Sequence, residues 1–297
     1  MKCAYIFAVS GANPSRRTLY AKHITRISFL ALLLVIPPGL TAQEQPVNKS
    51  GLRFSIGASL GLLHGQGEEI VYMDAKTDNK WSQLLWDSKP LGYAGVDVGI
   101  DWKKPGSRWG FFMDGTFKFG FPGASGVMED RDWDAVSLFE IDNPKWLTNY
   151  SEHDNRTDSA LLIDADLGMS FRLSESFLLK TYLVYTYMSF SWTSSGGSFL
   201  YPAGGHWFEE PTGTAVTYQQ SWHIISPALA FYGKFNRYFD IELSLKASPF
   251  IWCVADDNHH ITNIHYTDTM EYGFFIEPGL VFSYTPQDYF SLSLSVS

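Results

Sequence analysis

The sequence predicts an all-β fold, a transmembrane antiparallel β-barrel, and three observations carry that prediction. Apolar and polar residues alternate with period two over segment after segment, the pattern of strands with one face against lipid and the other turned inward. The connections between these segments are alternately short and long. Beyond residue 42 no stretch approaches the roughly 20 continuous apolar residues of a membrane-crossing helix.

The chain opens differently from the rest. Arg16, Arg17, Lys22 and Arg26 precede the apolar run Ile27 to Ile36, and Leu40-Thr41-Ala42 closes it ahead of Gln43-Glu44. This reads as a secretory signal over residues 1–42 with a cut near Ala42, its apolar run too short to span a bilayer. Residues 43–297 then form the barrel. Without the leader, 17 basic residues face 31 acidic ones, a formal charge of −14. Such a balance repels nucleic acid and attracts cationic partners. Only Cys253 of the two cysteines remains, so no internal disulfide is expected.

Nine strands follow in order. In the first, Phe54, Ile56, Ala58, Leu60 and Leu62 alternate with Ser55, Gly57, Ser59 and Gly61. The second sets Val96, Val98, Ile100 and Trp102 against Asp97, Gly99 and Asp101; the third, Trp109 to Phe119, places Asp114, Thr116 and Lys118 on one face. The fourth is the clearest: Ile163, Ala165, Leu167, Met169 and Phe171 against Asp164, Asp166, Gly168, Ser170 and Arg172. Phe177 to Trp192 and Gln219 to Tyr232 alternate less cleanly, and Pro227 and Pro278 weaken local pairing. The pattern returns in Phe239 to Ala247, in Phe274 to Phe282, and in Phe290, Leu292, Leu294 and Val296 against serines. A soluble sandwich also alternates, but it rarely sets so many carboxylates opposite such large apolar residues. The apolar set is therefore placed toward lipid.

Residues 103–107, 174–176, 233–237 and 285–288 read as short turns, and 63–90, 122–158, 195–218 and 253–270 as long loops. Nine is an odd count where single-chain bacterial barrels are even, so that both edges meet in lipid. The expectation is a chain shortened by one long loop and one strand.

Two acidic clusters in the long loops carry the chemistry. Asp130 and Asp132 are spaced i, i+2, so on a continuing strand they point the same way, as do Asp257 and His259. A neutral His beside a carboxylate is poised to take a proton near neutral pH, and crowding raises the pKa of one of two neighbouring carboxylates. The bland readings are solvated loop acids, weak calcium sites, or a metal held by Asp256-Asp257-Asn258-His259-His260. A rival from another class is a barrel that binds without cutting, an adhesin or receptor for cationic ligands. Nothing in the sequence indicates nucleotide, haem or redox chemistry: there is no Gly-rich phosphate loop and no cysteine pair.

In six places the chain resembles the omptin family of outer-membrane endoproteases: Glu69-Ile70-Val71-Tyr72, Trp81-Ser82-Gln83-Leu84 with Trp86, Asp130-x-Asp132-Trp133, Ser151-x-His153, Gly196-Gly197-Ser198-Phe199 and Asp257-x-His259. The resemblance covers roughly residues 52 to 297. It implies a ten-stranded barrel in the outer membrane, an aspartyl-type endopeptidase without cofactor or metal, and polypeptide substrates cut beside basic residues. By position it implies that His259 is the general base, that Asp257 orients it, and that Asp130 with Asp132 holds the attacking water. Glu69 matches the acid of the pocket for the basic side chain, with an exposed loop acid beside Glu68 as its bland reading. A second pocket acid is replaced by Ala255, and the acid expected near Asn149 is missing, which puts a paired basic preference in doubt. The family also holds lipopolysaccharide on a basic outer cluster; Tyr187, Ser189 and Ser221 stand there, so dependence on that lipid is doubtful. His206, His223 and His265 have no partner that the sequence identifies.

Overall fold

The computed structural model describes residues 6–7, 26–29, 51–72, 80–133, 147–201, 206–209, 213–261, 263–271, 273–287 and 290–297. Apart from Ile6–Phe7 and Arg26–Phe29, residues 1–42, for which the sequence leads to the expectation of a signal, lie outside them. Fifteen strands form one sheet: β1 (Ile6–Phe7), β2 (Arg26–Phe29), β3 (Leu52–Tyr72), β4 (Lys80–Trp102), β5 (Trp109–Gly120), β6 (Gly123–Asp132), β7 (Asn149–Arg172), β8 (Phe177–Tyr201), β9 (His206–Glu209), β10 (Thr214–Lys234), β11 (Phe239–Ser248), β12 (Phe250–His259), β13 (Ile264–Glu271), β14 (Gly273–Gln287) and β15 (Phe290–Val296). Three pairs are single long strands with a break. β6 continues β5 between β4 and β7, and β12 continues β11 beside β10; β13 and β14 follow that same composite strand back down. The nine strands expected from the sequence are all present.

Their lengths overturn one expectation. Much of the sequence assigned to long loops is ladder: β3 and β4 stay paired as far as Tyr72 and Lys80, and β12 pairs with β13 as far as His259 and Ile264. The reason is a change of phase. On β4 the even residues Leu84, Trp86 and Ser88 are buried, but below Lys89-Pro90 the odd residues Leu91 and Tyr93 take over. On β7 the buried set changes from odd (Ser151, His153, Asn155, Thr157) to even at a bulge between Thr157 and Ser159. Pro249 separates Lys246 and Ser248 from Ile251, Cys253 and Ala255 in the same way. An extra residue flips every following side chain to the other face, so period-two alternation is lost although the strand continues. Pro227 and Pro278 lie inside unbroken ladders, opposite Leu183 and Leu245, each giving up only its own N–H.

The sheet is rolled. β3 and β10 are five strand steps apart in the sheet order, roughly 24 Å if flat, yet the Tyr218 hydroxyl on β10 donates a hydrogen bond to Glu69 on β3. Among the described residues no ladder joins β15 to β3. The outer surface of the lower half is apolar: Phe54, Ile56, Val98, Met113, Phe117, Leu167, Leu183, Leu229 and Leu243 are exposed. Below them Trp102, Trp109 and Phe111 cluster, and above them the Tyr187 and Trp252 rings flank His223 at 5.0 and 4.9 Å, a belt at each margin.

The lumen has two storeys. In the lower one Lys246 Nζ lies 2.9 Å from Asp164 and 3.1 Å from Glu277, and Lys180 lies 3.3 Å from Glu242. Above it the inward face becomes apolar, with Tyr93, Met128, Phe190, Trp192, Trp222, Ile224 and Phe275 packed together.

Replacing Leu167 (65% exposed, lipid face) by Arg should cost about 2–4 kcal/mol in vesicle-refolding titrations. The same replacement at Asp154, outward but higher on β7, should change stability by less than about 0.5 kcal/mol.

Candidate active site

The upper inward face gathers the residues singled out in the sequence. Along one rung, Glu69 on β3 is opposite Leu84 on β4, Leu84 is opposite Asp130 on β6, and Asp130 is opposite Ser151 on β7. Along another, Tyr218 on β10 is opposite Asp257 on β12, which is opposite Tyr266 on β13. Residues directly opposite across a ladder share a face, so these groups all point into the lumen mouth. They sit on strands, not in loops, and their positions are therefore set by ladder hydrogen bonds.

Asp257 and His259 form a pair. His259 Nε2 is 2.9 Å from Asp257 Oδ2. A carboxylate accepts, so Nε2 carries the hydrogen and Nδ1 is left as the basic nitrogen. Asp257 is 7% exposed, and its Oδ1 is buried without a partner among the described residues. Burial raises the Asp257 pKa, against the hydrogen bond and charge of His259, which pull it back. Burial alone would lower His259; the Asp257 hydrogen bond and charge, then Asp130 and Asp132, more than offset it and hold the imidazole above its ordinary value.

Asp130 and Asp132 share the inward face of β6 with the buried Met128. Burial and then the charge of Asp132 raise the Asp130 pKa, while His259 and the Ser82 hydrogen bond, 3.5 Å from Oδ1, work the other way. The charge of each pair is thus felt by the other across the mouth. Beside Asp130, His153 Nδ1 donates to the Gly196 carbonyl at 2.7 Å, which leaves Nε2 to accept from the Ser151 hydroxyl at 2.9 Å. The paired glycines make this possible. Gly197 has φ +105°, and a Cβ there would stand 2.0 Å from the Glu152 carbonyl oxygen.

Glu69 is buried (4% exposed) and accepts from the Tyr218 hydroxyl, which also accepts from Gln220 Nε2 at 2.6 Å. Its wall is aromatic: Tyr218 stacks on Trp86 with centroids 5.1 Å apart, and Trp192 lies 5.9 Å from both. Glu68 bonds to Gln83 instead, so the two adjacent acids are divided between faces and the exposed-loop reading of Glu69 fails. The sequence reading missed Asp268. It lies opposite Ala255 on the inward face, one rung from Asp257. Only the β12–β13 register reveals it.

The metal reading of residues 256–260 is corrected. Asp256 faces outward to Thr267 and His265, and His260 bonds to Thr217, while Asp257 and His259 turn inward. Alternating faces keep these side chains from converging on one ion. His223 and His265 also have partners, in Tyr185 with Trp252 and in Asp256 with Thr267. The His206 side chain lies outside the described residues. On the outer surface Ser189 and Ser221 hydroxyls are 3.4 Å apart and the Tyr187 ring faces His223.

The arrangement offers a base with its orienting carboxylate, a carboxylate pair opposite, and a buried acid beside an aromatic wall. Residues 50–297 match the omptin family. The plasminogen activator of Yersinia pestis is 25% identical over 246 residues, covering 81% of this chain and 75% of its own. Protease 7 of Escherichia coli O157:H7 is 26% identical over 283 residues, covering 91% and 80%. The crystal structure of the outer membrane protease OmpT from Escherichia coli superposes with a TM-score of 0.70 at 20% identity, over 82% of this chain and 83% of that one.

In Asp257→Asn the largest raising influences on His259 are lost and only the smaller pull of Asp130 and Asp132 remains against burial, so its imidazole should titrate at lower pH. NMR titration of His-labelled protein in micelles checks this; an unchanged or raised midpoint contradicts the pairing.

Proposed function

This chain belongs to the omptin family of outer-membrane proteases, and from that premise we propose that it hydrolyses peptide bonds beside basic residues, using a water activated by His259. The observation that carries the reading is the 2.9 Å bond of His259 Nε2 to Asp257, which leaves Nδ1 as the basic nitrogen of an imidazole that feels the charge of Asp130 and Asp132. In this mechanism water held by Asp130 and Asp132 gives its proton to His259 Nδ1 as its oxygen adds to the peptide carbonyl. Asp257 stabilises the imidazolium. Asp130, kept protonated to higher pH than an ordinary carboxylate by burial and Asp132, lessens repulsion between its neighbour and the adduct. His259 then returns the proton to the leaving nitrogen, so that water and peptide become acid and amine.

Glu69 supports the basic preference. A buried carboxylate held by the Tyr218 hydroxyl, beside the aromatic stack of Tyr218, Trp86 and Trp192, favours a cationic side chain whose head reaches the acid. Asp268 adds a second negative charge on the same face, where Ala255 supplies none.

Mass-spectrometric mapping of cuts in a peptide library is the direct test. Cuts beside Arg or Lys should fall by about 10²-fold or more in His259→Ala and in Asp130→Asn. A correctly folded protein that cuts nothing would favour a receptor for cationic ligands. Asp268→Asn should lower kcat/KM for Arg and Lys substrates about tenfold while sparing neutral ones, and Glu69→Gln by more, as expected when a charge-assisted hydrogen bond is lost.

A further inference from the structure

We propose that Tyr266 is a further catalytic residue, donating a hydrogen bond from its phenol hydroxyl to the oxyanion formed when water adds to the peptide carbonyl. The inference rests on the hydrolytic reading above. It begins from what that reading lacks. Addition of water moves the carbonyl π pair onto oxygen, and that negative charge develops in a mouth lined by Asp130, Asp132, Asp257, Asp268 and Glu69. A fixed donor is needed there, because charge stabilisation by preorganised hydrogen bonds is usually the largest contribution to lowering such a barrier.

Most hydroxyls on this face are committed. Tyr218 donates to Glu69, Ser82 to Asp130, and Ser151 to His153. Tyr266 is different. It stands opposite Asp257 in the β12–β13 ladder and therefore on the inward face, while its neighbours His265 and Thr267 turn outward to Asp256. Its ring meets His259 edge to face, centroids 5.7 Å apart at 85°, so it is packed against the base itself. At 48% exposure it is open to a substrate, and its hydroxyl makes no hydrogen bond among the described residues. Burial raises its pKa, and the charges of Asp257, Asp132, Asp268 and Asp130 add to that. The phenol consequently stays a neutral donor, within electrical reach of both catalytic pairs.

Its part in the reaction involves no proton transfer. The water proton goes to His259 Nδ1, the carbonyl π pair goes to oxygen, and Tyr266 Oη–H donates to that oxygen. When the adduct collapses the C=O bond re-forms, the C–N bond breaks, and the amine takes the proton from His259. Tyr266 is unchanged throughout.

The test compares wild type, Tyr266→Phe and His259→Ala on one Arg-containing peptide, with binding of a phosphinic isostere of the same peptide measured alongside. Phe keeps the ring against His259 and removes only the donor. The expected result is a fall in kcat of about 10²-fold with KM little changed, no shift in the pH profile, and weaker isostere binding by a similar factor. A Phe variant that cuts at the wild-type rate, or one that changes KM alone, overturns the assignment while leaving the His259 mechanism standing. Wild-type protein that cuts nothing removes that mechanism, and the role of Tyr266 with it. If the Phe variant does not refold, a Tyr266→Trp variant that refolds and still cuts at the wild-type rate overturns the proposal.

Discussion

The structure depends on one constraint: within lipid every backbone N–H and C=O must be paired by a neighbouring strand. Ladders that obey it in the bilayer do not stop at its surface. β3, β4, β7, β8 and β10 run for 21 to 25 residues, well beyond the 9 to 11 or so that a membrane demands. The site inherits its geometry from that excess length. Asp130, Asp257 and His259 lie on sheet that is hydrogen-bonded on both sides, and Glu69 on a strand laddered to β4, so their separations are set by strand spacing and roll rather than by loop conformation.

The phase changes at Lys89-Pro90, Asp158 and Pro249 reconcile two environments on one strand. Below them the outside must be apolar for lipid; above them the outside meets water and the apolar residues turn in. A strict two-residue period serves only one of these demands. At these three places one added residue satisfies both, while β8 and β10 keep their even residues inward throughout, and the inward-facing aromatics Trp86, Trp192, Tyr218 and Trp222 form the floor on which the site rests.

What could be read in the sequence follows the same division. β7 from Ile163 to Phe171 is legible because its faces differ sharply, whereas β10 is blurred because Ala228 and Ala230 line the lumen opposite an outward Leu229 and Phe231. The upper parts of β4, β7 and β12 read as loops because the alternation there is inverted rather than absent. Asp130 with Asp132, and Asp257 with His259, were legible because i, i+2 spacing fixes a common face in any strand. Asp268 and Tyr266 were not, because their neighbours Ala255 and Asp257 belong to another strand, and only the hairpin between His259 and Ile264 determines which residues meet. Glu69 was legible as a pocket acid only through the resemblance, since its burial partner Tyr218 lies 149 positions away.

The packed aromatic floor makes the molecule a cup rather than a tube. Trp192 and Trp222 are 0% and 1% exposed in that layer, so what lies beneath the mouth is packed side chain. The barrel wall is consequently not a conduit but an anchor, which holds an acidic rim at a fixed height above the lipid and restricts its action to segments that can lie flat against that rim.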